Sequence, residues 1–267
     1  MAENAFLYDG SLCIACRGCQ VACKQWNYLP GEKTKFFAKE GGYQNPSDLS
    51  PITWNIIKFN EIMTPAGVKW LFRRHHCFHC TDAACIKACP VEPVKAMTRH
   101  PEFKTVYVNQ ELCIGCGSCV EACPFHVPHV DEKLQKSRKC TACYDRVAIG
   151  MIPACAKTCP TSAITYGEKS VIYKRAADRL NALKKQKVPV DIYGTKELDG
   201  LHSIYVLPQG LKNYDLPINP KVPEGLGMLH DLIHATPGIA ITAAVVGIAM
   251  AKLREMRQNI QEPEEVS

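Results

Sequence analysis

Apolar and polar positions along this chain follow three recognisable rhythms. "KTVYVN" (Lys104–Asn109) alternates, the period-2 pattern of a half-buried strand, and "HSIYVLP" (His202–Pro208) reads as a second strand. "SVIYKRAADRLNALKKQK" (Ser170–Lys187) carries Ile172, Ala176, Leu180 and Leu183 at helical spacing. Its other face holds Lys174, Arg175, Arg179, Lys184, Lys185 and Lys187. The plain expectation is a helix packed on a domain with a solvated basic face; the sharper one is a docking surface for an acidic partner. "NYDLPINPKVPEG" reads as a proline-punctuated linker. The third rhythm is the absence of charge from Leu232 to Ala251, between Asp231 and Lys252. About twenty such residues span a bilayer as a helix, although a buried helix of a soluble protein stays open. Ala240, Ala244, Gly247 and Ala251 give the small-xxx-small spacing that packs against a partner helix in a membrane. Lys252, Arg254 and Arg257 follow the segment, which predicts a cytoplasmic C-terminus with the bulk of the chain on the periplasmic side.

Composition changes the picture through one residue type. The 267 residues include 16 cysteines, far more than an ordinary intracellular enzyme carries. Such a count fits a disulfide scaffold, zinc sites or iron–sulfur clusters. Disulfide frameworks belong to short secreted chains, and "MAENAFLYDG" opens with neither an apolar signal segment nor a twin-arginine motif. If the protein leaves the cytoplasm, another component must carry it.

The cysteines form four groups of four. Cys13, Cys16, Cys19 and Cys23 are spaced C-x2-C-x2-C-x3-C, and Cys113, Cys116, Cys119 and Cys123 repeat that spacing. Cys77, Cys80, Cys85 and Cys89 have a four-residue middle gap, and Cys140, Cys143, Cys155 and Cys159 an eleven-residue one. Pro90, Pro124 and Pro160 follow three of the groups, whereas Lys24 follows the first. The run C-x2-C-x2-C-x3-C-P is the bacterial ferredoxin signature. Two-residue gaps curl the backbone so that three sulfurs reach one cube, and Ala15, Gly18, Gly115 and Gly117 are small enough to permit that curl. The fourth cysteine, one helical turn on, faces the other cluster of a pair, and proline then ends the run. Paired C-x2-C knuckles also make zinc sites, but zinc needs no third and fourth cysteine at these spacings. After Cys23, "KQWN" is expected to continue a helix into the insertion before the second group.

Four oxidised four-iron clusters with their thiolates add about −8. The formal charge of +6 then becomes about −2, so the basic excess offsets cofactors and gives no support to nucleic-acid binding. The loop at His100-Pro101 and the strand "KTVYVN" join groups two and three as the halves of a small ferredoxin are joined. Groups one and four then pair by exclusion.

"CIACRGCQVACKQWN", "CFHCTDAACIKACPVEPV", "CIGCGSCVEACPFHVP" and "CTACYDRVAIGMIPACAKTCPTSAI" together resemble the four-cluster electron-transfer subunits of molybdopterin oxidoreductases, above all the beta subunits of respiratory formate dehydrogenases. The resemblance covers nearly the whole chain and implies an α+β fold of two ferredoxin-like modules, one inserted in the other, plus a C-terminal transmembrane helix. The outer module would span 1–72 and 131–222 and the inner module 73–130. Residues 223–267 would be a linker, the transmembrane helix at about 232–251 and a short tail. It implies four [4Fe–4S] clusters: Cys13, Cys16, Cys19 and Cys159 on one; Cys140, Cys143, Cys155 and Cys23 on the next; Cys77, Cys80, Cys85 and Cys123 on the third; Cys113, Cys116, Cys119 and Cys89 on the fourth. It further implies a molybdenum- or tungsten-pterin catalytic partner that oxidises formate, a membrane cytochrome b that reduces quinone, and no catalytic site in this chain. The same architecture serves nitrate, polysulfide and dimethyl-sulfoxide reductases and some hydrogenases.

Around the cysteines, Ile14, Val21, Ile86, Ile114 and Val120 are expected to shield clusters from water. Arg17, Lys24, Lys87, Lys139 and Lys157 flank ligands and would raise nearby potentials unless they are merely solvated. His75, His76 and His79 read as hydrogen-bonding residues, since every group already has its full complement of thiols.

Overall fold

The computed structural model describes residues 3–35, 43–65 and 67–223. Leu232–Ala251, the expected transmembrane helix, lies outside the described residues, and so does the tail that follows it. Among the described residues no helix is long and apolar enough to cross a membrane.

The chain runs β1 (Asn4–Asp9), α1 (Gly18–Trp26), β2 (Ile56–Thr64), β3 (Gly67–His75), α2 (Ala84–Lys87), β4 (Met97–Arg99), β5 (Val106–Val108) and α3 (Ser118–Glu121). It continues through β6 (His129–Asp131), β7 (Lys136–Arg138), α4 (Tyr144–Ala148), α5 (Ala154–Lys157), β8 (Ile164–Glu168), α6 (Lys169–Lys185), β9 (Val190–Tyr193) and β10 (Ser203–Pro208). One four-stranded sheet has the order β8-β1-β10-β9, with β1 parallel to β10 and the outer pairs antiparallel. Three hairpins, β2–β3, β4–β5 and β6–β7, complete the strands.

Period-2 alternation makes this sheet a wall with two apolar faces. Ala5 and Leu7 of β1 and Ile204 and Val206 of β10 face α6, against Ile172, Ala176 and Leu183. Phe6, Tyr8, Tyr205 and Leu207 face the other way, into a core shared with Cys19, Cys23, Cys77, Cys140 and Cys155. The helical stripe of α6 is therefore buried as its spacing predicts, and the strands at "KTVYVN" and "HSIYVLP" form as β5 and β10. Lys174, Arg175, Lys184, Lys185 and Lys187 are exposed, while Arg179 bonds Asp9 at 2.6 Å and Ser11 at 2.7 Å.

Three expectations change. The stretch expected to be a linker is anchored on the domain at Tyr214 and Leu216, which are buried, while Asp215, Ile218, Asn219 and Lys221 stay exposed. The Tyr214 hydroxyl donates to the Pro208 carbonyl at 2.9 Å, and Tyr193 donates to the Pro217 carbonyl at 2.8 Å. The second change is the β2–β3 hairpin, nine residues paired with nine from Ile56↔His75 to Thr64↔Gly67. It occupies the insertion before group two, and the expected module boundary at residue 72 falls inside β3. Third, α1 passes Cys23 without a break but ends at Trp26, where the Asn27 N–H and side-chain amide donate to the Cys23 carbonyl and the Tyr28 N–H donates to the Gln25 carbonyl.

Candidate iron–sulfur sites

Each ligand loop is shaped by left-handed backbone. Ala15 (φ 54°) and Arg17 (φ 60°) in the first group correspond to Gly115 (φ 71°) and Gly117 (φ 79°) in the third. Gly18 is not among these residues; Arg17 takes the turn expected of it. Ile14, Val21 and Ile114 are 61%, 63% and 64% exposed; Ile14 and Ile114 nonetheless each border a cysteine cavity, whereas Val21 lies on the exposed face of α1. Ile86 and Val120 do pack, against the third core with Cys89, Cys113 and Cys119.

The fold brings the sixteen thiols into four sets, and none of them forms a disulfide. Cys13, Cys16, Cys19 and Cys159 line one cavity of about 20 Å³, closed by Ile57, Ala163 and Ile164. Cys89, Cys113, Cys116 and Cys119 line another of about 20 Å³, with Met97, Val108 and Ser137. Cys23 has Cys140, Cys155 and Cys143 as its closest charge neighbours, and Cys80 has Cys77, Cys85 and Cys123. Thiols of successive sets also lie near enough to interact electrostatically: Cys19 with Cys155, Cys140 with Cys77, and Cys85 with Cys119.

The donor chemistry around these sulfurs fits clusters. Backbone N–H groups of His79, Ala142, Met97 and Ser137 point at the sulfurs of Cys77 (3.4 Å), Cys140 (3.4 Å), Cys89 (3.5 Å) and Cys113 (3.3 Å). Ser137 Oγ lies 3.2 Å from Cys119 Sγ, and Asn27 Nδ2 lies 3.8 Å from Cys23 Sγ. Such bonds stabilise negative charge on sulfur. Burial pushes these thiols up, Cys19 and Cys123 to about 11 and Cys143 to about 12, so that binding iron as thiolates must also displace protons. A tetrahedral zinc, with bonds of about 2.3 Å, would draw its sulfurs within about 4 Å of one another. Among the described residues no three Cys, His, Asp or Glu side chains converge closely enough to hold a metal ion.

The flanking cations divide. Lys87 pairs with Asp82 at 2.5 Å, and Lys24 bonds the carbonyls of Pro30 and Ile52, each at 2.9 Å. Arg17 donates to the Tyr43 carbonyl and lies 5.0 Å from the Phe59 ring. Lys139 alone of the five is fully buried, with its ammonium on the carbonyls of Val106 and Cys140. The histidines are structural: His75 faces Asp48 at 3.4 Å, His76 faces Ser203 at 2.9 Å, and His79 Nδ1 meets the Val106 backbone at 3.0 Å. Sequence reasoning missed Arg74, which is fully buried and donates to Cys155 Sγ at 3.0 Å. The pattern offers no signal for it, because arginine in a strand next to another arginine reads as surface.

A sheet-walled core, four cysteine sets and sulfur-directed N–H groups define an iron–sulfur electron-transfer protein with ferredoxin-like dicluster domains. Family models described as 4Fe-4S dicluster domains match residues 12–92 and 68–169. The nitrate-inducible formate dehydrogenase iron–sulfur subunit of Escherichia coli is 36% identical, over 92% of this chain and 83% of its own length. The formate dehydrogenase-O iron–sulfur subunit of the same organism is 36% identical over 97% and 88%. Formate dehydrogenase 2 subunit beta (cytochrome c-553) of Nitratidesulfovibrio vulgaris is 34% identical over 79% and 96%. The chain belongs to the formate dehydrogenase iron–sulfur subunits.

Proposed function

We propose that this subunit is a four-cluster relay carrying electrons from a molybdenum- or tungsten-pterin subunit that oxidises formate to a membrane cytochrome b and quinone. The observation that carries this reading is the electrostatic proximity of thiols from successive sets, Cys19 to Cys155, Cys140 to Cys77, and Cys85 to Cys119. In it, Cys13, Cys16, Cys19 and Cys159 hold the first [4Fe–4S] cluster, and Cys23, Cys140, Cys143 and Cys155 the second. Cys77, Cys80, Cys85 and Cys123 hold the third, and Cys89, Cys113, Cys116 and Cys119 the fourth. The clusters supply one-electron carriers; the chain's own residues fix their spacing, exclude water and hydrogen-bond their sulfurs. The modules are nested, 73–130 within 1–72 and 131–222. The 232–251 segment crosses the membrane, with the cluster-bearing part periplasmic and the C-terminus cytoplasmic.

One relative's name includes cytochrome c-553, which favours a second reading in which the same relay delivers to a c-type cytochrome. Purifying the complex from native membranes separates the two by what reduction with formate turns over, quinone or cytochrome c. Iron and sulfide analysis with electron paramagnetic resonance of the dithionite-reduced complex tests the core of the proposal. Four interacting cluster signals are expected, and a spectrum without them would sink it.

A further inference from the structure

Arg74 lies on β3, in the hairpin inserted between the first two cysteine groups, and is completely buried. Its Nη2 donates to Cys155 Sγ at 3.0 Å and its Nε to Asn55 Oδ1 at 2.7 Å. Its carbonyl accepts from the Tyr205 hydroxyl at 2.8 Å, and its guanidinium lies 4.9 Å from the Phe6 ring. The strand wall thus fixes it from behind. Two donors in this assembly have no protein partner: Arg74 Nη1 and Asn55 Nδ2, both buried.

A permanent cation sealed from water costs several kcal/mol unless negative charge lies beside it. Among the described residues no carboxylate makes an ion pair with Arg74. The groups around it that become negative as cluster ligands are the sulfurs of Cys155, Cys19 and Cys140. Cys19 belongs to the first set and Cys155 and Cys140 to the second, so the guanidinium sits at their junction. Asn55 stands on the Cys19 side.

From this placement we propose that Arg74, oriented by Asn55, is a shared positioning residue that raises the reduction potentials of the first and second clusters together. The inference rests on the four-cluster reading. On reduction a cluster takes one electron from the formate-oxidising partner, with no bond made or broken, and its charge with four thiolates goes from about −2 to about −3. A fixed cation favours the more negative state, and so do N–H donors aimed at sulfur. Nη1 and Asn55 Nδ2 are free to supply such donors to the inorganic or cysteine sulfurs of the two flanking clusters. An Arg at this junction would hold the outer half of the relay at closely matched potentials.

The test is a redox titration of the purified complex, followed by electron paramagnetic resonance, for wild type, Arg74→Gln, Arg74→Lys and Asn55→Ala, with iron counted in each. Arg74→Gln is expected to lower the equilibrium constant for one-electron reduction about tenfold at two clusters, about 59 mV each, and to leave the other two in place. Arg74→Lys keeps the charge without the fork and should recover most of the shift. Asn55→Ala should lower the same two clusters by less, and the first, on whose side Asn55 stands, more than the second. Four unshifted clusters in Arg74→Gln, or four that shift equally, would overturn the proposal. If Arg74→Gln does not retain iron, Asn55→Ala decides it: an unchanged first cluster rejects the inference. Wild type without four cluster signals would instead reject the four-cluster reading.

Discussion

Between Cys77 and Cys123 the chain builds its cysteine sets from adjacent pieces: α2, the β4–β5 hairpin and α3, with Ala96, Met97, Val106 and Val108 as a local core. The sets that begin at Cys13 and Cys23 are completed by Cys159 and by Cys140, Cys143 and Cys155. What holds those ends together is also distant in sequence: β1 on β10, from Phe6↔Ser203 to Asp9↔Val206, and α1 on α5. The inner half can form from local contacts, whereas the outer half must first bear the entropy of a long closure. The helices show the same contrast. α2, α3 and α5 are four residues long, and each precedes a Cys-Pro pair. α1 has nine residues and contains Cys23 within it. Its extra turn grips both sides: Lys24 bonds carbonyls of the insertion, Trp26 Nε1 donates to Asp145 at 2.7 Å, and Arg146 lies over the Trp26 ring at 4.2 Å. Proline is missing after Cys23 because the outer half uses that turn as a clamp.

The largest effect should come from removing the crossing ligands. Cys23→Ala is expected to lose the cluster shared with Cys140, Cys143 and Cys155, about a quarter of the iron, and to loosen the closure of the chain ends. Cys89→Ala should lose the cluster of Cys113, Cys116 and Cys119 and leave the outer half intact. Iron analysis and resonance spectra, compared with Cys16→Ala, identify which signal disappears. If Cys23→Ala and Cys16→Ala abolish the same signal, the reciprocal arrangement fails.

Lys24→Pro converts the outer helix to the pattern of the other three. Proline removes an amide from the helix interior and forces Cys23 itself out of helical geometry, a cost of about 3 kcal/mol. The half-life of cluster absorbance on heating should shorten more than tenfold. Pro124→Ala, its counterpart in the inner half, should change that half-life little, since α3 has already ended at Glu121.

The inner half was the more legible of the two in the sequence. Alternation gave β5, the loop at His100-Pro101 gave the hairpin turn, and the cysteine spacing gave the wrap. In the outer half the periodicity of α6 and the strand β10 were visible, but not that β10 pairs with β1, since period-2 pattern carries no record of a partner so far away. The β2–β3 hairpin passed unread although Pro65 and Gly67 punctuate it, because its outer end is exposed and Met63, Val68 and Trp70 lie at the surface. Arg74 was invisible for a different reason. Its burial depends on sulfurs that three other segments deliver, so nothing near it in sequence reports its surroundings.

A subtler contrast lies in the equivalent loops Cys13–Cys16 and Cys113–Cys116. Ala15 and Gly115 share left-handed backbone, yet a Cβ on Gly115 would run into the carbonyl of Gln135 in the β6–β7 turn. Gly115→Ala should therefore cost about 1–3 kcal/mol and release the fourth cluster faster on heating. Ala15→Gly removes a left-handed Cβ while adding freedom to the unfolded chain, opposing effects that should leave less than about 1 kcal/mol. Equal losses from the two substitutions would show that the close approach of Gln135 is not what distinguishes the loops.

The smallest effect belongs to the residue just before each of these positions. Ile14 and Ile114 are almost equally exposed, at 61% and 64%, and each borders the cysteine cavity of its own group only at its rim. Ile14→Ser and Ile114→Ser should each change stability by less than about 0.5 kcal/mol and leave all cluster potentials in place. Exposed apolar residues at two matching points flanking the first and fourth sets, the two ends of the sulfur succession, instead fit contact with other subunits. Copurification of the catalytic and membrane partners is the readout that should move. A shift in either cluster's potential, with partner binding unchanged, would return these isoleucines to the shielding role expected from sequence.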